Sequence, residues 1–338
     1  MRGAAAFALA MSASVLVLGP ASAQSSTTGS APPLVVPAPA PAPVPGIQQV
    51  PTLAPALTSV PAQPPAQAAT PSIGAKTGPK CSNPNALGVS RTVEIDTTGG
   101  PGFGFEHFKQ LDFLRDHEVV LTFDDGPWPT TPAVLKALAD ECVKAIFFSI
   151  GKHATYYPEI LRQVAAAGHT VGSHTWSHKD LSRMSVDDAK ADIEKGISAV
   201  KWALEDQGPE APFIRFPALR HPPELVTYMG ERNIAIFSTD LDSFDFKLRK
   251  PDQVIKSVMA KLAKHGKGIV LMHDFQKATS EALPQLLTEL KAGGYKIVFM
   301  KPAKGVTSLP QYDEELLKDS KLPTVSQRPV SSVVRDIQ

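Results

Sequence analysis

Between Glu118 and Met300 the chain alternates short apolar runs with amphipathic stretches. The runs are Glu118 to Phe123, Lys144 to Ile150, Thr170 to Ser173, Phe213 to Arg215, Ile234 to Ser238, Gly268 to Met272 and Lys296 to Phe299. Between them, Thr131-Pro132 ahead of Val134, Leu135 and Leu138 marks a helix start, and Ser185 with Asp188 three residues on forms a capping box. Tyr156 to Ala167, Pro222 to Arg232, Pro251 to Lys264 and Ser280 to Ala292 supply further helices. This is the string of a parallel α/β protein. Seven strands joined by six crossovers predict a distorted (β/α)7 barrel, one strand short of the usual eight; an open doubly wound sheet gives a similar string.

The flanks read differently. Residues 81–117 are expected to form an N-terminal extension of the barrel domain, with a strand around Arg91 to Ile95, and 302–338 a loosely attached C-terminal tail of weak periodicity. Residues 24–80 are Pro, Ala, Ser, Thr and Gln with hardly an aromatic, and the first carboxylate of the whole chain is Glu94. Such a stretch cannot bury enough apolar surface to offset ordering, so a disordered linker is expected. At roughly 3 Å per residue it would reach on the order of 150 Å fully extended. Residues 1–23 begin Met1-Arg2, run apolar from Ala4 to Leu18 and close on Ala21-Ser22-Ala23, the pattern of a cleaved signal peptide. The run is short for a bilayer span, and no later segment is apolar enough to cross, so an exported protein, periplasmic or extracellular, with no transmembrane segment after cleavage is expected.

Charge adds an exclusion. The 34 basic and 33 acidic side chains leave +1, which gives no reason to expect nucleic acid or an anionic membrane as partner. Nothing in the sequence indicates an oligomeric state. The two cysteines, Cys81 and Cys142, admit two readings: one disulfide, which export permits, or two unpaired thiols with Cys142 a buried small hydrophobe.

The ionisable residues of interest fall where the strands end. Asp124-Asp125 follows the first, His174 and His178 the third, Arg215 closes the fourth, Asp242 and Asp245 follow the fifth, and His273 the sixth. In parallel β/α barrels that carboxyl-terminal rim carries the active site. Adjacent carboxylates at a strand end repel one another unless a cation lies close. His174 and His178 are spaced by four, so one helical turn would put both imidazoles on one side. With one aspartate they make a three-ligand set that leaves positions open for water and substrate, as a catalytic metal site requires.

Five segments in order resemble the motifs of the NodB-homology polysaccharide deacetylases, carbohydrate esterase family 4. They are Thr122 to Pro127, His174 to His178, Arg215-Phe216-Pro217, Asp242-Ser243-Phe244-Asp245-Phe246 and Leu271-Met272-His273. The resemblance covers roughly Glu118 to Met300, a domain of 118–301, and reaches neither the linker nor the tail. It implies the same distorted seven-stranded barrel. It also implies that Asp125, His174 and His178 bind one divalent metal, Zn²⁺ with Co²⁺ or Ni²⁺ as alternatives, while Asp124 serves as general base. Arg215 would hold the base, His273 would be the general acid, and Asp245 would tune that acid. Pro217 and Ala218 would face the substrate, and Phe246 and Leu271 would wall the acetyl methyl group. The implied activity is removal of N-acetyl groups from an aminosugar polymer or oligomer of chitooligosaccharide, peptidoglycan or poly-N-acetylglucosamine type, by metal-activated water. The alternatives are another amide, an O-acetyl xylan, or a non-catalytic glycan-binding domain. Two departures from the family pattern stand out: Ala218-Leu219 replaces the aromatic-Gly after the third motif's proline, and Phe246 replaces the fourth motif's tryptophan.

Overall fold

The computed structural model describes residues 81–319. The signal-peptide reading of 1–23, the linker reading of 24–80 and the end of the tail, 320–338, lie outside the described residues.

Ten strands alternate with helices: β1 (Val89–Ile95), β2 (Gly102–Phe103), β3 (Glu118–Asp124), β4 (Ile146–Ser149), β5 (Thr170–Ser173), β6 (Phe213–Ile214), β7 (Ala235–Phe237), β8 (Leu241–Asp242), β9 (Gly268–His273) and β10 (Lys296–Pro302). The helices are α1 (Thr131–Asp140), α2 (Gly151–Tyr156), α3 (Pro158–Ala166), α4 (Val186–Leu204), α5 (Pro223–Glu231), α6 (Pro251–His265), α7 (Lys277–Ala292) and α8 (Pro310–Lys318). Every ladder is parallel. Strands β8, β9, β3, β4, β5, β6 and β7 follow one another around a distorted barrel, and among the described residues no ladder joins β7 to β8. The strand count of seven is met, but not by the expected seven. β10 runs along β1 and touches β3 only at Lys296 and Ile297, and the two-residue β8 takes the remaining place in the wall. β8 offers a single apolar residue, Leu241, among Asp240, Asp242 and Ser243, which is why the sequence conceals it.

Period two sorts the side chains. Val120, Ile146, Phe148, Phe213, Phe237 and Ile269 fill the barrel interior, whereas Val119, Leu121, Phe123 and Phe147 point outward against α1, α6 and α7. All seven residues of β3 are buried, as the central strand of a sheet covered on both faces must be. Each fully buried Leu, Ile or Phe contributes about 1.5–3 kcal/mol of transfer free energy, so this core is the main stabilising term.

The N-terminal extension completes the barrel rather than decorating it. β2 pairs with β7 at the open edge, and Phe103 enters the interior, 5.1 Å from the Phe237 ring and 5.9 Å from Phe113. Cys81 and Cys142 are joined by a disulfide with Cα atoms 5.6 Å apart, tying this segment to the end of α1 across a separation of 61 residues. Closing a loop of that length contributes on the order of 4 kcal/mol by chain entropy.

Local signals explain the helices. Ser185 Oγ accepts the Asp188 N–H at 3.2 Å and donates to the Asp188 carboxylate at 2.7 Å, starting α4 as the capping box predicts. The single helix expected over Tyr156 to Ala167 is two, α2 ending at Tyr156 and α3 opening at Pro158, whose fixed φ and missing N–H suit a first helical residue. The segment after β10 is not loose up to residue 319: α8 buries Leu316 and is tied to α4 by Lys195–Asp319 and Lys201–Asp313, both at 2.9 Å. Among the described residues no helix is long and apolar enough to cross a membrane.

Candidate active site

The barrel geometry delivers five strand ends to one rim. β3 ends at Asp124, β9 at His273, Arg215 directly follows β6, His174 follows β5, and Asp245 lies just past β8. A cavity of about 600 Å³ there is lined by Asp124, Asp125, His174, His178, Ala218, Phe246, Leu271 and His273. Of the residues the motifs single out, Arg215, Asp245 and Pro217 sit buried behind this wall. Arg215 and Asp245 reach the cavity through partners that line it, whereas Pro217 supports only the turn that carries Ala218.

Asp124 and Arg215 form a buried pair. Arg215 Nη1 donates to Asp124 Oδ1 and to Thr122 Oγ1, each at 2.7 Å, and Nη2 donates to the Ser238 carbonyl at 2.8 Å. The guanidinium also lies 4.5 Å from the centre of the Phe148 ring. Burial pushes the Asp124 carboxyl above its ordinary range and Arg215 pulls it back, which leaves a fixed but basic carboxylate. Removing one member of such a pair strands a buried charge, at a cost of about 3–5 kcal/mol.

Asp125 points the other way. Its backbone is left-handed, φ 72°, and its carbonyl accepts from His153 Nδ1 at 2.6 Å. Oδ1 is buried and accepts no hydrogen bond; it lies 3.4 Å from His174 Nε2 and 3.2 Å from His178 Nε2. His174 Nδ1 donates to the Arg215 carbonyl at 2.6 Å, which fixes the tautomer and presents Nε2 as a lone pair. Burial and the neighbouring His178 hold His174 well below the ordinary imidazole range, so it is neutral, as a metal ligand must be. One ligand atom from each of Asp125, His174 and His178 lies within 4.8 Å of the others. A buried carboxylate oxygen without a partner, facing two imidazole nitrogens, fits a divalent metal ion.

The histidine pair is not on a helix, contrary to its spacing. Thr175 and His178 are left-handed, φ 65° and 55°, and the segment is a tight loop bringing the rings to 4.8 Å. The loop is anchored on α2, whose Gly151 and Lys152 N–H groups donate to the Thr175 and Trp176 carbonyls at 2.8 and 3.1 Å. Gly196 of α4 lets it seat, since a Cβ there would lie 2.5 Å from the Thr175 carbonyl carbon.

His273 faces the trio from the opposite wall, its Nε2 3.9 Å from Asp125 Oδ2. Its Nδ1 is 2.6 Å from Asp245 Oδ1, and Asp245 Oδ2 accepts the His273 backbone N–H at 2.7 Å and Thr279 Oγ1 at 2.5 Å. Burial works against the imidazolium, but the Asp245 hydrogen bond and charge, aided by Asp125 and Asp124, outweigh it and raise His273 to about 9. Phe246 stands edge-on at 5.6 Å from the His273 ring, and Leu271 is buried beneath. On the remaining wall Ala218 and Leu219 are both left-handed, φ 53°, which is where the family pattern's glycine is missing.

The profile of the polysaccharide deacetylase family matches residues 114–235. A peptidoglycan-N-acetylglucosamine deacetylase of Listeria monocytogenes is 36% identical over 184 residues, 53% of this chain and 37% of that protein. A chitooligosaccharide deacetylase of Sinorhizobium fredii is 32% identical over 213 residues, which is 56% of this chain and 96% of the relative's length. The chain belongs to the polysaccharide deacetylase family. Among solved structures, a Bdellovibrio bacteriovorus peptidoglycan deacetylase aligns with TM-score 0.58 and 33% identity over 65% of this chain and 61% of that one. The chain thus spans less than two thirds of the Listeria and Bdellovibrio relatives and nearly all of the Sinorhizobium one.

Within this polysaccharide deacetylase domain several site residues escape the motifs. Glu106 and His107, from the N-terminal extension, and Arg220 line the cavity; His153 holds Asp125; Thr279 holds Asp245. His153 follows β4 at the same rim, so the strand-end rule could have marked it. Nothing local marks the others.

Proposed function

We propose that the protein is a metal-dependent hydrolase that removes N-acetyl groups from an aminosugar polymer or oligomer in the cell envelope or outside the cell. The observation that carries this reading is the facing of two differently tuned groups, Asp124 on Arg215 and His273 on Asp245, across the Asp125, His174 and His178 trio in one cavity. Asp125, His174 and His178 would hold the ion, and the mixed nitrogen and oxygen donor set suits Zn²⁺. When bound, a divalent ion there polarises the acetamide carbonyl and acidifies water.

The chain's own groups carry the protons. Asp124, kept basic by burial and fixed through Oδ1 by Arg215, accepts a proton from the attacking water. The Ala218 N–H, on the left-handed turn at the cavity wall, is the donor assigned to the oxygen that gains charge. His273 has Nδ1 committed to Asp245, so its Nε2 gives a proton to the departing sugar amine, and acetate and a free amine result. Phe246 and Leu271 would enclose the acetyl methyl group.

Both deacetylase relatives act on N-acetylated glycans by name, which supports that substrate class. The test is acetate release by the purified full chain from chitooligosaccharides, peptidoglycan and poly-N-acetylglucosamine, with acetylated xylan alongside. Release from at least one N-acetylated glycan is expected. Release from xylan alone, or from none, would overturn the assignment.

A further inference from the structure

Phe244 combines two features that a side chain without a task rarely keeps. Its backbone lies in the left-handed region, φ 56° and ψ 25°, where the Cβ of a bulky residue crowds its own chain. The residue is nonetheless 41% exposed. Neighbours hold it there: Asp242 Oδ1 accepts its N–H at 2.8 Å, and its carbonyl accepts the Lys247 N–H at 2.9 Å. Lys261 donates to the Asp242 carbonyl and places its ammonium 4.1 Å from the Phe244 ring centre. Glycine would serve that turn without strain, so it is the ring, not the backbone shape, that has to be accounted for.

Phe246, 44% exposed, stands beside it with ring centres 6.1 Å apart, and is itself 5.6 Å from His273 at the cavity wall. The rings therefore step outward from the cavity, His273 to Phe246 to Phe244. Phe246 lines the cavity and Phe244 stands just outside it, so the apolar strip leads from the cavity wall onto the surface, where the next sugar of a chain can lie.

We propose that Phe244, next to Phe246, is a stacking platform for the sugar adjoining the one whose acetyl group enters the cavity, so that the site reads an oligomer rather than a single aminosugar. This rests on the deacetylase reading above. A pyranose turns axial C–H groups to its faces and hydroxyls to its edge. Laid on an aromatic ring, it buries apolar area on both partners while its hydroxyls stay in water. Lys261 and Lys247 place their ammonium groups 4.1 and 5.0 Å from the Phe244 ring centre, and Lys247 also lies 5.2 Å from that of Phe246; Lys247 is exposed, and its flexible side chain swings aside to seat the sugar.

The test uses the full-length, metal-loaded protein as wild type, Phe244→Gly and Phe244→Tyr, with N-acetylglucosamine and its di- to pentasaccharides. Affinity is read by calorimetry and turnover by acetate release. Wild type should bind tri- and longer saccharides more tightly than the monosaccharide. Phe244→Gly should lose about ten-fold in that affinity, the scale of one aromatic contact, with kcat at saturation kept. Its melting temperature should not fall, because glycine adopts this φ freely. Phe244→Tyr should restore the length dependence. Unchanged affinity for long oligomers in Phe244→Gly, or no length dependence in wild type, overturns the platform. Absence of acetate release by wild type counts instead against the deacetylase reading, and the calorimetric arm still decides the platform.

Discussion

Replacing Asp245 by Asn removes a charge from beside His273 while keeping the shape of the side chain. Asp245 is wholly buried, with Oδ1 2.6 Å from His273 Nδ1 and Oδ2 receiving the His273 N–H and Thr279 Oγ1. Burial alone would drive His273 to its neutral form, yet it sits at about 9 against an ordinary 6.5. At ~1.4 kcal/mol per unit, the net preference for the imidazolium is on the order of 3 kcal/mol. A divalent ion beside Asp125 lowers His273 in wild type and variant alike, so the difference between the two is the informative quantity. Without the Asp245 charge the largest remaining influence is burial, opposed by Asp125 and Asp124, so His273 falls well below the value it holds beside Asp245. A general acid must hold its proton, so the alkaline limb of kcat/KM should move to lower pH by about two units. Stability follows the same sign. A raised imidazole contributes fully below pH 6.5 and loses its contribution as pH rises through about 9, so Asp245→Asn should lack that part of the alkaline loss. The assay is acetate release across pH, with metal content measured on the same samples. An alkaline limb that stays in place in a metal-replete variant would refute the tuning.

Asp125→Ala should lower metal content, whereas Asp124→Asn should keep metal and lose turnover; equal metal loss in both, measured by elemental analysis, would show the roles are not divided. His169 is buried, accepts the Ala145 N–H on Nδ1 at 3.1 Å, and is pushed down to about 3 by burial. Its contribution is present above the unfolded value and lost as pH falls, so between about pH 6.5 and pH 5 urea denaturation of His169→Asn should show about 2 kcal/mol less loss than wild type. Equal losses would refute it. Leu219→Gly relieves about 1–2 kcal/mol of left-handed strain against about 0.5–1 kcal/mol of added chain entropy, so denaturant unfolding should show no net loss. A fall above about 1 kcal/mol would mean that the Leu219 side chain, not the turn, matters there.

What the sequence reveals divides along physical lines. β3, β4 and β9 are dominated by apolar residues, and they are where the pattern puts them. β2 and β8 are two residues each and exist because neighbouring backbone is within pairing reach, a tertiary fact with no local trace. The pairing of His174 with His178 is legible, but for a reason other than helical spacing: two left-handed residues fold the loop back on itself. Asp124, Asp125, Arg215, Asp245 and His273 are legible because strand ends concentrate chemistry on one rim. Glu106 and His107 are not, because their approach depends on β2 pairing with β7 at the open edge of the barrel.

The most direct test is acetate release as a function of bound metal. Full-length protein stripped with a strong chelator should release no acetate from an N-acetylated glycan. Activity should then rise in proportion to added Zn²⁺ until one ion is bound per chain, and Asp125→Ala should show no such rise. Full activity in the stripped protein, or recovery in Asp125→Ala equal to wild type, would contradict a metal-dependent deacetylase centred on Asp125, His174 and His178.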